Sequence, residues 1–593
     1  MLNAIKSNWR LAACAFGLGL VLLLLHGLTG APEGESYKFN LPWFDAFRNS
    51  FWAGDLYPRF LPDLWYGMGG YDFFFYAPMP FWLSAVLGEA TCPGCDSGTV
   101  FALGGAWMII LSGGTFFLFA RRFFETRWAG VGGIVYAVLP YHYLIDWFDR
   151  QAVGEVAAMV FLPLIALSMI RLIEEKKGGA LFALSFAALA LSHLPTTLIA
   201  LHLLAGIGIW LLIRESEWRG RLELIARFTV WGGLGVALSA FYWMPALGLL
   251  SSVSPDMLAT DFYTPTAWLF LDGRPEISSE RALIMKWALA LVVVVAGASA
   301  MILRSASLQG KAAPPALIVW IIGPSVFAFF FMTVFSYPIW EIWILNRVQF
   351  PWRSLVVADL SIALGAVVIM RSLFRNQGGG EIMKHSILAA LCSIVLGFTL
   401  LAQAPKVTGA VQAGQALSGA FKPVGTPEYV PPQFLQPALE RFRATVTDAD
   451  TGDDRYDLFF AEMERSIAAA FNALQADAPG AVLIALPHDR VRLQVDLAQA
   501  AEVRVPLLAW PYWRAVKEQG EALTLGVDAE LGIVTVSLPE GPSTIEFSIA
   551  ETLPQKVGST ISLLAFLLLI IGSAFGTHQR NSRAEKPLAT SPR

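Results

Sequence analysis

The stretch EVAAMVFLPLIALSMIRLI, from Glu155 to Ile173, decides the fold class of this chain. Apolar residues fill it almost without interruption, over a length that crosses the roughly 30 Å of hydrocarbon in a bilayer. Comparable stretches recur at residues 11–29, 99–120, 129–147, 155–173, 179–194, 196–213, 228–249, 284–303, 314–335, 354–371, 386–404 and 558–577. The pattern predicts a polytopic α-helical membrane protein with about twelve transmembrane helices.

The composition supports a membrane environment. Of 593 residues, 55% are hydrophobic and 15% charged, and the mean hydropathy is +0.56, which is too apolar for a soluble chain of this length. A net charge of −4, without a basic stripe, argues against nucleic acid as a partner. No Walker loop, Rossmann fingerprint or zinc-site spacing is present, so no cofactor is predicted, although the sequence leaves a divalent metal open.

Basic residues set the orientation, because Lys and Arg accumulate on the cytoplasmic side of a membrane. Their distribution places both termini inside and leaves residues 30–98, 250–283 and 405–557 outside. The predicted organisation is a transmembrane module over 1–404 that includes the first outer loop, an extracytoplasmic domain over 405–557, a last span over 558–577 and a cytoplasmic tail over 578–593. The first span has no clear cleavage site and is expected to remain as an anchor.

The outer domain has its own pattern. Long apolar runs stop near Pro405, and strand-like alternation follows at Val491–Asp496, Val503–Leu508 and Ile533–Leu538. This order predicts an α+β domain, helical first and then rich in β-strands.

The first outer loop is rich in aromatic residues, at 51–59 and 71–76. Aromatic residues interleaved with turns are typical of short amphipathic helices at a membrane interface, so an interfacial location is expected. The loop also contains Cys92-Pro-Gly-Cys95, which favours a small structural disulfide over a redox pair because no thioredoxin-like pattern surrounds it.

Several acidic residues follow the outer ends of spans. Glu33 and Glu35 come directly after the first span and are either solvated loop acids or catalytic carboxylates at the level of the lipid headgroups. Asp146, Asp149, Arg150 and Glu155 gather between the third and fourth spans. They are either an ion-pair cluster that caps two helices or a substrate pocket whose arginine holds a phosphate.

Other polar residues lie at the same level. His193 stands at a Pro-containing break between two spans, where freed backbone groups can line a cavity, although a lone His there is more often structural. Arg347 and Arg353 remain outside, where they either snorkel to the interface or, with Arg59 and Arg150, bind a lipid-linked phosphate.

A series of short motifs resembles the C-type membrane glycosyltransferase (GT-C) superfamily, and more narrowly the YfhO-like bacterial membrane proteins and those labelled 6-pyruvoyl-tetrahydropterin-synthase-related. The resemblance spans nearly the whole chain, and its motifs are individually weak but ordered. They are Gly54-Asp-Leu-Tyr-Pro-Arg59, Trp65-Tyr-Gly-Met-Gly-Gly70, Phe75-Tyr-Ala-Pro78, Arg150-Gln-Ala-Val-Gly-Glu155, Leu191-Ser-His193, Phe241-Tyr-Trp-Met-Pro245, Phe350-Pro-Trp-Arg353, Glu428-Tyr-Val-Pro431 and Trp510-Pro-Tyr-Trp-Arg514.

The resemblance implies a glycosyltransferase of a bacterial inner membrane, with a periplasm-facing active site and a polyprenyl-phosphate sugar as donor. Its single acidic base aligns with Glu35, although many relatives carry Asp there, so Glu33 and Asp55 stay open as alternatives. The acceptor would be an envelope glycan, a lipid or a protein, attacked with inversion. The expected substrate-binding residues are Arg59, Tyr76, Asp146, Asp149, Arg150, Glu155, His193, Arg347 and Arg353.

Two other functions fit the same features. A glycolipid flippase would also place acids and arginines at span junctions, although no duplicated half with paired broken helices is evident in the sequence. A non-catalytic scaffold of an envelope polysaccharide machine, held by the 405–557 domain, is the third interpretation.

Overall fold

A computed structural model describes residues 9–254, 264–271, 280–308, 313–375, 425–445, 452–486 and 488–584. Its helices are α1 (Trp9–Thr29), α2 (Tyr37–Trp52), α3 (Met79–Leu83), α4 (Glu89–Thr91), α5 (Ser97–Ala120), α6 (Thr126–Ala137), α7 (Val153–Glu174), α8 (Gly179–Ser192), α9 (Leu194–Arg214), α10 (Trp218–Leu238), α11 (Ala240–Gly248), α12 (Glu280–Leu308), α13 (Pro315–Met332), α14 (Tyr337–Trp340), α15 (Trp343–Asn346), α16 (Leu355–Arg375), α17 (Pro432–Thr445), α18 (Gly452–Asp477) and α19 (Leu553–Ala584).

Many of these helices suit a bilayer, and the chain is a multi-pass integral membrane protein. Within the described ranges, eight helices are long and apolar enough to span a membrane, and the bent pair α10–α11 raises the number to nine. Two shorter apolar helices, Ala15–Thr29 and α8, add to these. The expected span at 386–404 lies outside the described residues. A count of about twelve spans is therefore not confirmed, whereas the helical membrane fold is.

The bend between α10 and α11 shows how the helices share polar groups. The two axes differ by 70° at Ser239, where the break frees backbone groups that hydrocarbon cannot solvate. Helix α19 supplies the partner: the Phe241 N–H donates to Ser562 Oγ over 2.9 Å, and Ser562 Oγ donates to the Ala237 carbonyl over 3.0 Å. The last span therefore closes the break in the earlier pair.

The outer domain is helical first and then β, as predicted. Its strands are β1 (Val482–Leu486), β2 (Arg490–Leu497), β3 (Ala501–Leu508), β4 (Trp513–Lys517), β5 (Ala522–Leu523), β6 (Leu525–Val527), β7 (Ile533–Leu538) and β8 (Gly541–Ile549). They form one sheet in the order β1-β2-β8-β4-β5 and a second in the order β3-β7-β6, and every strand pair is antiparallel. Inward-facing apolar residues of both sheets share one buried core.

Helix α18 is fastened to the second sheet by an arginine fork. Arg504 on β3 donates from Nε and Nη2 to the two carboxylate oxygens of Asp477, each over 2.8 Å. This bidentate geometry gives both strength and orientation to the contact.

The first outer loop folds against this domain, and the interfacial location expected for its 71–76 stretch is wrong. Tyr71 and Phe73 are fully buried. Tyr71 stacks on Trp510 at 4.3 Å between ring centroids, and its hydroxyl donates to the Leu508 carbonyl over 2.8 Å. Trp513 Nε1 donates to the same hydroxyl over 2.9 Å. The C-terminal domain covers these aromatic rings, and burial of their apolar surface favours this packing.

The remainder of the first outer loop leads into the next span. It contains short 3-10 turns at Trp65–Gly67 and Asp72–Phe74 and a π-helical turn at Ser84–Gly88. Cys92 and Cys95 form a disulfide just before α5.

Candidate active site

Four charged side chains lie buried where helical segments meet, and we call Asp146, Arg150, Glu155 and Arg353 the ion cluster. Arg150 donates from Nη1 to Asp146 Oδ1 over 2.6 Å and from Nη2 to Glu155 Oε1 over 2.9 Å. The two carboxyl side chains have 0% exposure and the Arg150 side chain 7%. Charges this deeply buried are tolerated only when they are paired. The ion cluster thus brings together two acids and two arginines.

Arg353 and a tyrosine complete the contacts of Glu155. Arg353 Nε lies 2.9 Å from Glu155 Oε1, although its N–H is not directed at that oxygen. Its Nη1 donates to the Val348 carbonyl over 2.7 Å and to Gln349 Oε1 over 3.2 Å. The Tyr141 hydroxyl donates to Glu155 Oε2 over 2.9 Å. Both oxygens of Glu155 are therefore engaged, while Arg353 keeps Nη2 for another contact.

His193 lies beside the ion cluster at the junction of α8 and α9. Its Nδ1 accepts from the Thr196 N–H over 3.3 Å and so caps α9. A Cβ at Gly154 would lie 3.0 Å from His193 Cδ2, so glycine allows this close approach to the start of α7. Burial lowers the pKa of His193 to about 3, against the opposing charge of Glu155. At neutral pH the ring is an uncharged hydrogen-bonding group.

The segment that carries Glu35 docks on the residues next to the ion cluster. Glu35 N–H donates to the Asp149 carbonyl over 2.9 Å, and Ser36 N–H donates to the Arg150 carbonyl over 3.1 Å. A Cβ at Gly34 would lie 2.9 Å from the Asp149 carbonyl oxygen, so this close contact requires glycine. The side chains of Glu35 and Asp149 are both exposed.

Gln151 fastens the same segment a second time. It adopts a left-handed backbone, with φ of 50°, and is fully buried. Its Nε2 donates to the Pro32 carbonyl over 2.7 Å, and Asn40 Nδ2 donates to the Gln151 carbonyl over 2.7 Å. The acids Glu33 and Glu35 are thus presented on an anchored turn, with Glu33 also exposed.

Arg59 belongs to a different polar group. Its Nη2 donates to the Phe241 carbonyl over 2.9 Å, and its guanidinium lies 4.4 Å from the centroid of the Tyr57 ring. Asp55 and Asp489 are its acidic neighbours. Burial raises the pKa of Asp489 to about 7, and the charge of Asp55 adds to this. None of the contacts of Arg59 in the described residues reaches the ion cluster.

Arg347 and Tyr76 complete the predicted set. Arg347 is exposed, on the segment that leads to Arg353. Tyr76 is half-buried, and its hydroxyl lies within electrostatic range of Arg353, Glu155 and Arg150. Burial raises its pKa to about 12, so the hydroxyl is a stable hydrogen-bond donor at neutral pH.

A second acidic feature lies near Tyr76. It consists of Asp72 and Glu428, which we call the acid pair. Asp72 is 1% exposed, and its Oδ1 accepts from the Thr426 N–H over 3.2 Å. Burial raises the pKa of Asp72 to about 7. Burial also raises the pKa of Glu428 to about 7, and the neighbouring charge of Asp72 adds to that effect.

Sequence reasoning did not single out Tyr141, Asp72 or Asp359 as parts of a site. Asp359 is 1% exposed, has an Oδ2 without a hydrogen bond, and lies close enough to Asp146 for their charges to interact. The available signal was an acid in an otherwise apolar or aromatic run, as in Tyr71-Asp-Phe-Phe-Phe-Tyr76. Tyr141 gave no such signal, because a tyrosine near a span end is ordinary.

The arrangement offers proton acceptors and cations at one surface. Exposed carboxylates at Glu33, Glu35 and Asp149 lie on segments joined by backbone hydrogen bonds next to Arg150, a combination suited to deprotonating a hydroxyl while a phosphate is held. Among the residues that the structure describes, no group of three His, Cys, Asp or Glu side chains is placed to hold a metal ion.

Comparison with known proteins gives only distant structural similarities. No protein-family model matches the chain, and no curated protein matches it either. The structural matches include the archaeal oligosaccharyltransferase AglB from Archaeoglobus fulgidus, in complex with an inhibitory peptide and a dolichol-phosphate, at a TM-score of 0.37 and 14% identity. That match covers 76% of this chain and 60% of the other.

Two further solved structures match this chain at similarly low scores. The arabinofuranosyltransferase AftD from Mycobacteria matches at a TM-score of 0.42 and 15% identity, covering 92% of this chain and 40% of that one. ArnT from Cupriavidus metallidurans, bound to undecaprenyl phosphate, matches at a TM-score of 0.27 and 14% identity, covering 62% and 78%. This chain thus covers less than two thirds of AglB, at 60%, and less than half of AftD, at 40%. At these scores, none of the three assigns a function or a site residue to this chain.

Proposed function

We propose that the chain is a membrane glycosyltransferase that moves a sugar from a polyprenyl-phosphate carrier to an extracytoplasmic acceptor, with inversion at the anomeric carbon. In this proposal the membrane is a bacterial inner membrane and the acceptor is an envelope glycan, lipid or protein. The donor reaches the site from the bilayer, so that no nucleotide sugar is needed.

One observation carries the proposal: the exposed Glu35 lies on a turn whose backbone is hydrogen-bonded to the carbonyls of Asp149 and of Arg150, an arginine of the ion cluster. A carboxylate that can take a proton and cations that can receive a phosphate are what this reaction requires of a protein. The turn is fixed by Gly34 and Gln151, so the carboxylate is held in place rather than carried on a free loop.

The reaction follows from this placement. The Glu35 carboxylate takes the proton of an acceptor hydroxyl as its oxygen bonds to the anomeric carbon from the face opposite the phosphate. The bond between the anomeric carbon and the phosphate oxygen breaks, and its electron pair stays on that oxygen. The polyprenyl phosphate leaves with one more negative charge, which the arginines stabilise.

The two arginines of the ion cluster then have different roles. Both terminal nitrogens of Arg150 are occupied by Asp146 and Glu155, so Arg150 orients the cluster. Arg353 retains Nη2, and the exposed Arg347 lies on the same segment. We assign the departing phosphate to Arg353 and Arg347. Arg59 is left out of the phosphate site because it is held by Phe241 and Tyr57.

A flippase remains the competing function, since a broken span is a common transporter feature. The described residues contain one bent pair, α10–α11, and Ser562 satisfies its break from a neighbouring helix. Transporters that use broken helices usually pair them across a repeat. A single, internally satisfied break favours the enzyme over the flippase.

The test is transfer of radiolabelled sugar by purified protein in liposomes, from a small panel of polyprenyl-phosphate sugars to envelope acceptors. Glu35→Gln is expected to lower the rate at least about a hundredfold, as for loss of a general base. The matched control is Glu33→Gln, an exposed acid two residues away, which should transfer at nearly the wild-type rate. Excess chelator added to the wild type tests for a divalent metal.

The outcomes separate the assignments. Equal transfer by wild type and Glu35→Gln would end the base assignment, and loss in Glu33→Gln alone would move it to Glu33. No transfer from any donor, together with movement of labelled glycolipid across the liposome membrane, would establish the flippase instead.

A further inference from the structure

The carboxyl group of Asp72 sits in a closely fitted cradle. A Cβ at Gly425 would lie 2.8 Å from Asp72 Oδ1, and a Cβ at Gly70 would clash with Asp72 Oδ2. The two glycines come from different parts of the chain, so the first outer loop and the start of the outer domain meet at this side chain. Asp72 Oδ2 has no hydrogen bond, although it is buried.

Two other buried polar groups at the acid pair are also without hydrogen bonds. The indole N–H of Trp43 faces the Asp72 carboxyl, and the Thr426 hydroxyl faces the Glu428 carboxylate. Neither contact has the geometry of a formed hydrogen bond. Since buried polar groups are nearly always satisfied, these loosely made contacts leave hydrogen-bonding capacity at the acid pair for a hydroxyl group.

Glu428 is the member of the acid pair that a ligand can reach, because it is half-buried whereas Asp72 is enclosed. Its backbone is fixed, since the Glu428 carbonyl accepts from the Ser254 N–H over 3.1 Å. The neighbouring Tyr429 stacks on Phe75 at 5.4 Å between ring centroids. The Glu428 carboxylate is therefore presented from a rigid turn.

Aromatic rings surround the acid pair. Trp43 lies 4.7 Å from Tyr76 and 6.3 Å from Tyr429, measured between ring centroids. A carboxylate can accept hydrogen bonds from sugar hydroxyls, and an aromatic face can pack on the C–H groups of a sugar ring. The two together suit a polyhydroxylated ring.

Tyr76 links the acid pair to the ion cluster. Its hydroxyl lies within electrostatic range of Glu428 and also of Arg353, Glu155 and Arg150. In a polyprenyl-phosphate sugar the phosphate is bonded directly to the sugar. Glu428 and Arg353, to which we assign the phosphate, both lie near the side chain of Tyr76. We therefore expect Glu428 to contact the sugar rather than the lipid.

We propose that Glu428 accepts a hydrogen bond from a hydroxyl of the transferred sugar, so that the outer domain supplies part of the donor-sugar subsite. Thr426 and the enclosed Asp72 position its carboxylate. This inference rests on the proposed function, because it takes the bound donor to be a polyprenyl-phosphate sugar. Unlike the base assignment, it concerns recognition of the sugar and not the proton transfer.

The experiment compares two lipids on the full-length protein in nanodiscs without acceptor, so that no turnover occurs. The probes are undecaprenyl phosphate and a small panel of undecaprenyl-phosphate monosaccharides, with dissociation constants measured for each. Wild-type protein should bind at least one sugar-bearing lipid more tightly than the bare lipid. Glu428→Gln should weaken binding of that lipid about tenfold, as for loss of one hydrogen bond to a charged group, and leave the bare lipid unchanged.

Two further variants make the result specific. Glu440→Gln alters an exposed acid of the same domain and should change neither affinity. Thr426→Val keeps the shape of the side chain but removes the hydroxyl that faces Glu428, and should weaken only the sugar-bearing lipid, by about threefold. The bare lipid serves as the internal check that each variant is folded.

Each remaining outcome overturns an assignment. If Glu428→Gln weakens both lipids equally, or neither, the sugar contact is wrong while the lipid-phosphate function stands. If no sugar-bearing lipid binds wild-type protein better than the bare lipid, there is no such subsite. If wild-type protein does not bind undecaprenyl phosphate at all, the proposed function is wrong, and the inference about Glu428 is wrong as well.

Discussion

The ion cluster and the acid pair are two acidic sites that differ in how their buried carboxyl groups are stabilised. In the ion cluster each carboxylate has an arginine within 2.9 Å. Within the described ranges the acid pair forms no salt bridge to an arginine, and its carboxyl groups have pKa values raised to about 7. The first site pairs its carboxyl groups with arginines, whereas in the second burial raises the pKa values so that protonated and ionised forms are both present near neutral pH.

The difference indicates what each site can do. A paired cluster is rigid and costly to break, which suits a scaffold that orients one remaining donor toward a phosphate. An acid pair that exchanges protons near neutral pH is adaptable, which suits hydrogen bonding to a variable set of hydroxyls. The predictions below test this contrast, from the largest expected change in stability to the smallest.

Replacing Arg150 should cause the largest loss. Arg150→Gln removes the cation shared by Asp146 and Glu155 and should lower the free energy of unfolding by about 3–5 kcal/mol. Thermal unfolding in detergent measures the change. The control is Arg171→Gln, whose contact to Glu175 is more exposed and worth at most about 1 kcal/mol. Equal losses in the two variants would contradict the view that the ion cluster depends on pairing.

The acid pair should respond to pH. The pKa of Asp72 is raised from 3.8 to about 7 in the fold, so its contribution to stability is fully present below about pH 4 and is lost as pH rises through about 7. The groups that face it are Glu428, Thr426 and Trp43, none of them a cation. Wild-type protein should therefore lose thermal stability between pH 5 and pH 8.

Asp72→Asn should make the decline with pH smaller without abolishing it, because the amide cannot ionise whereas Glu428 and Asp489, whose pKa values burial also raises to about 7, still can. At pH 8 it should be more stable than wild type by about 2 kcal/mol. Asp496→Asn, at an exposed position in β2, is the control and should follow the wild-type curve. A wild-type profile with no decline toward pH 8 would show that Asp72 is not the buried acid described here.

Removing a neutral donor from the ion cluster should cost less than removing an arginine. Tyr141→Phe deletes only the hydroxyl that donates to Glu155 Oε2 and should lower the free energy of unfolding by about 1.5 kcal/mol. Thermal unfolding of Tyr141→Phe and Arg150→Gln, measured under the same conditions, ranks the tyrosine hydrogen bond against the arginine ion pairs. A loss as large as that of Arg150→Gln would mean that hydrogen bonding, and not charge pairing, dominates the cluster.

The smallest stability change should come from the turn that holds Glu35. Gly34→Ala places a methyl group 2.9 Å from the Asp149 carbonyl oxygen, which forces the anchored turn away from residues 148–149, so the loss should be about 1 kcal/mol. Transfer should fall more than stability, because the shift displaces Glu35 from the ion cluster. Wild-type transfer rates in this variant would argue that the position of Glu35 does not matter.

The sequence by itself determined the membrane class and the order of the outer domain. Apolar runs such as Glu155–Ile173 leave a bilayer as the only suitable solvent, and alternation at Val491–Asp496 and Ile533–Leu538 predicted strands that the structure contains. The concentration of Asp146, Arg150 and Glu155 within ten residues also pointed to the ion cluster. These signals are local, so they can be interpreted without knowing what lies opposite.

Only the tertiary structure decided which distant residues meet. Arg353 joins Glu155 from a separate helix, Asp72 meets Thr426 across more than three hundred residues, and Arg59 is drawn away to Phe241. The aromatic residues of the first outer loop had a pattern that fits both a membrane interface and a protein core. Their burial depended on the outer domain that packs on them, because hydrophobic burial is non-directional and the local pattern does not specify its partner.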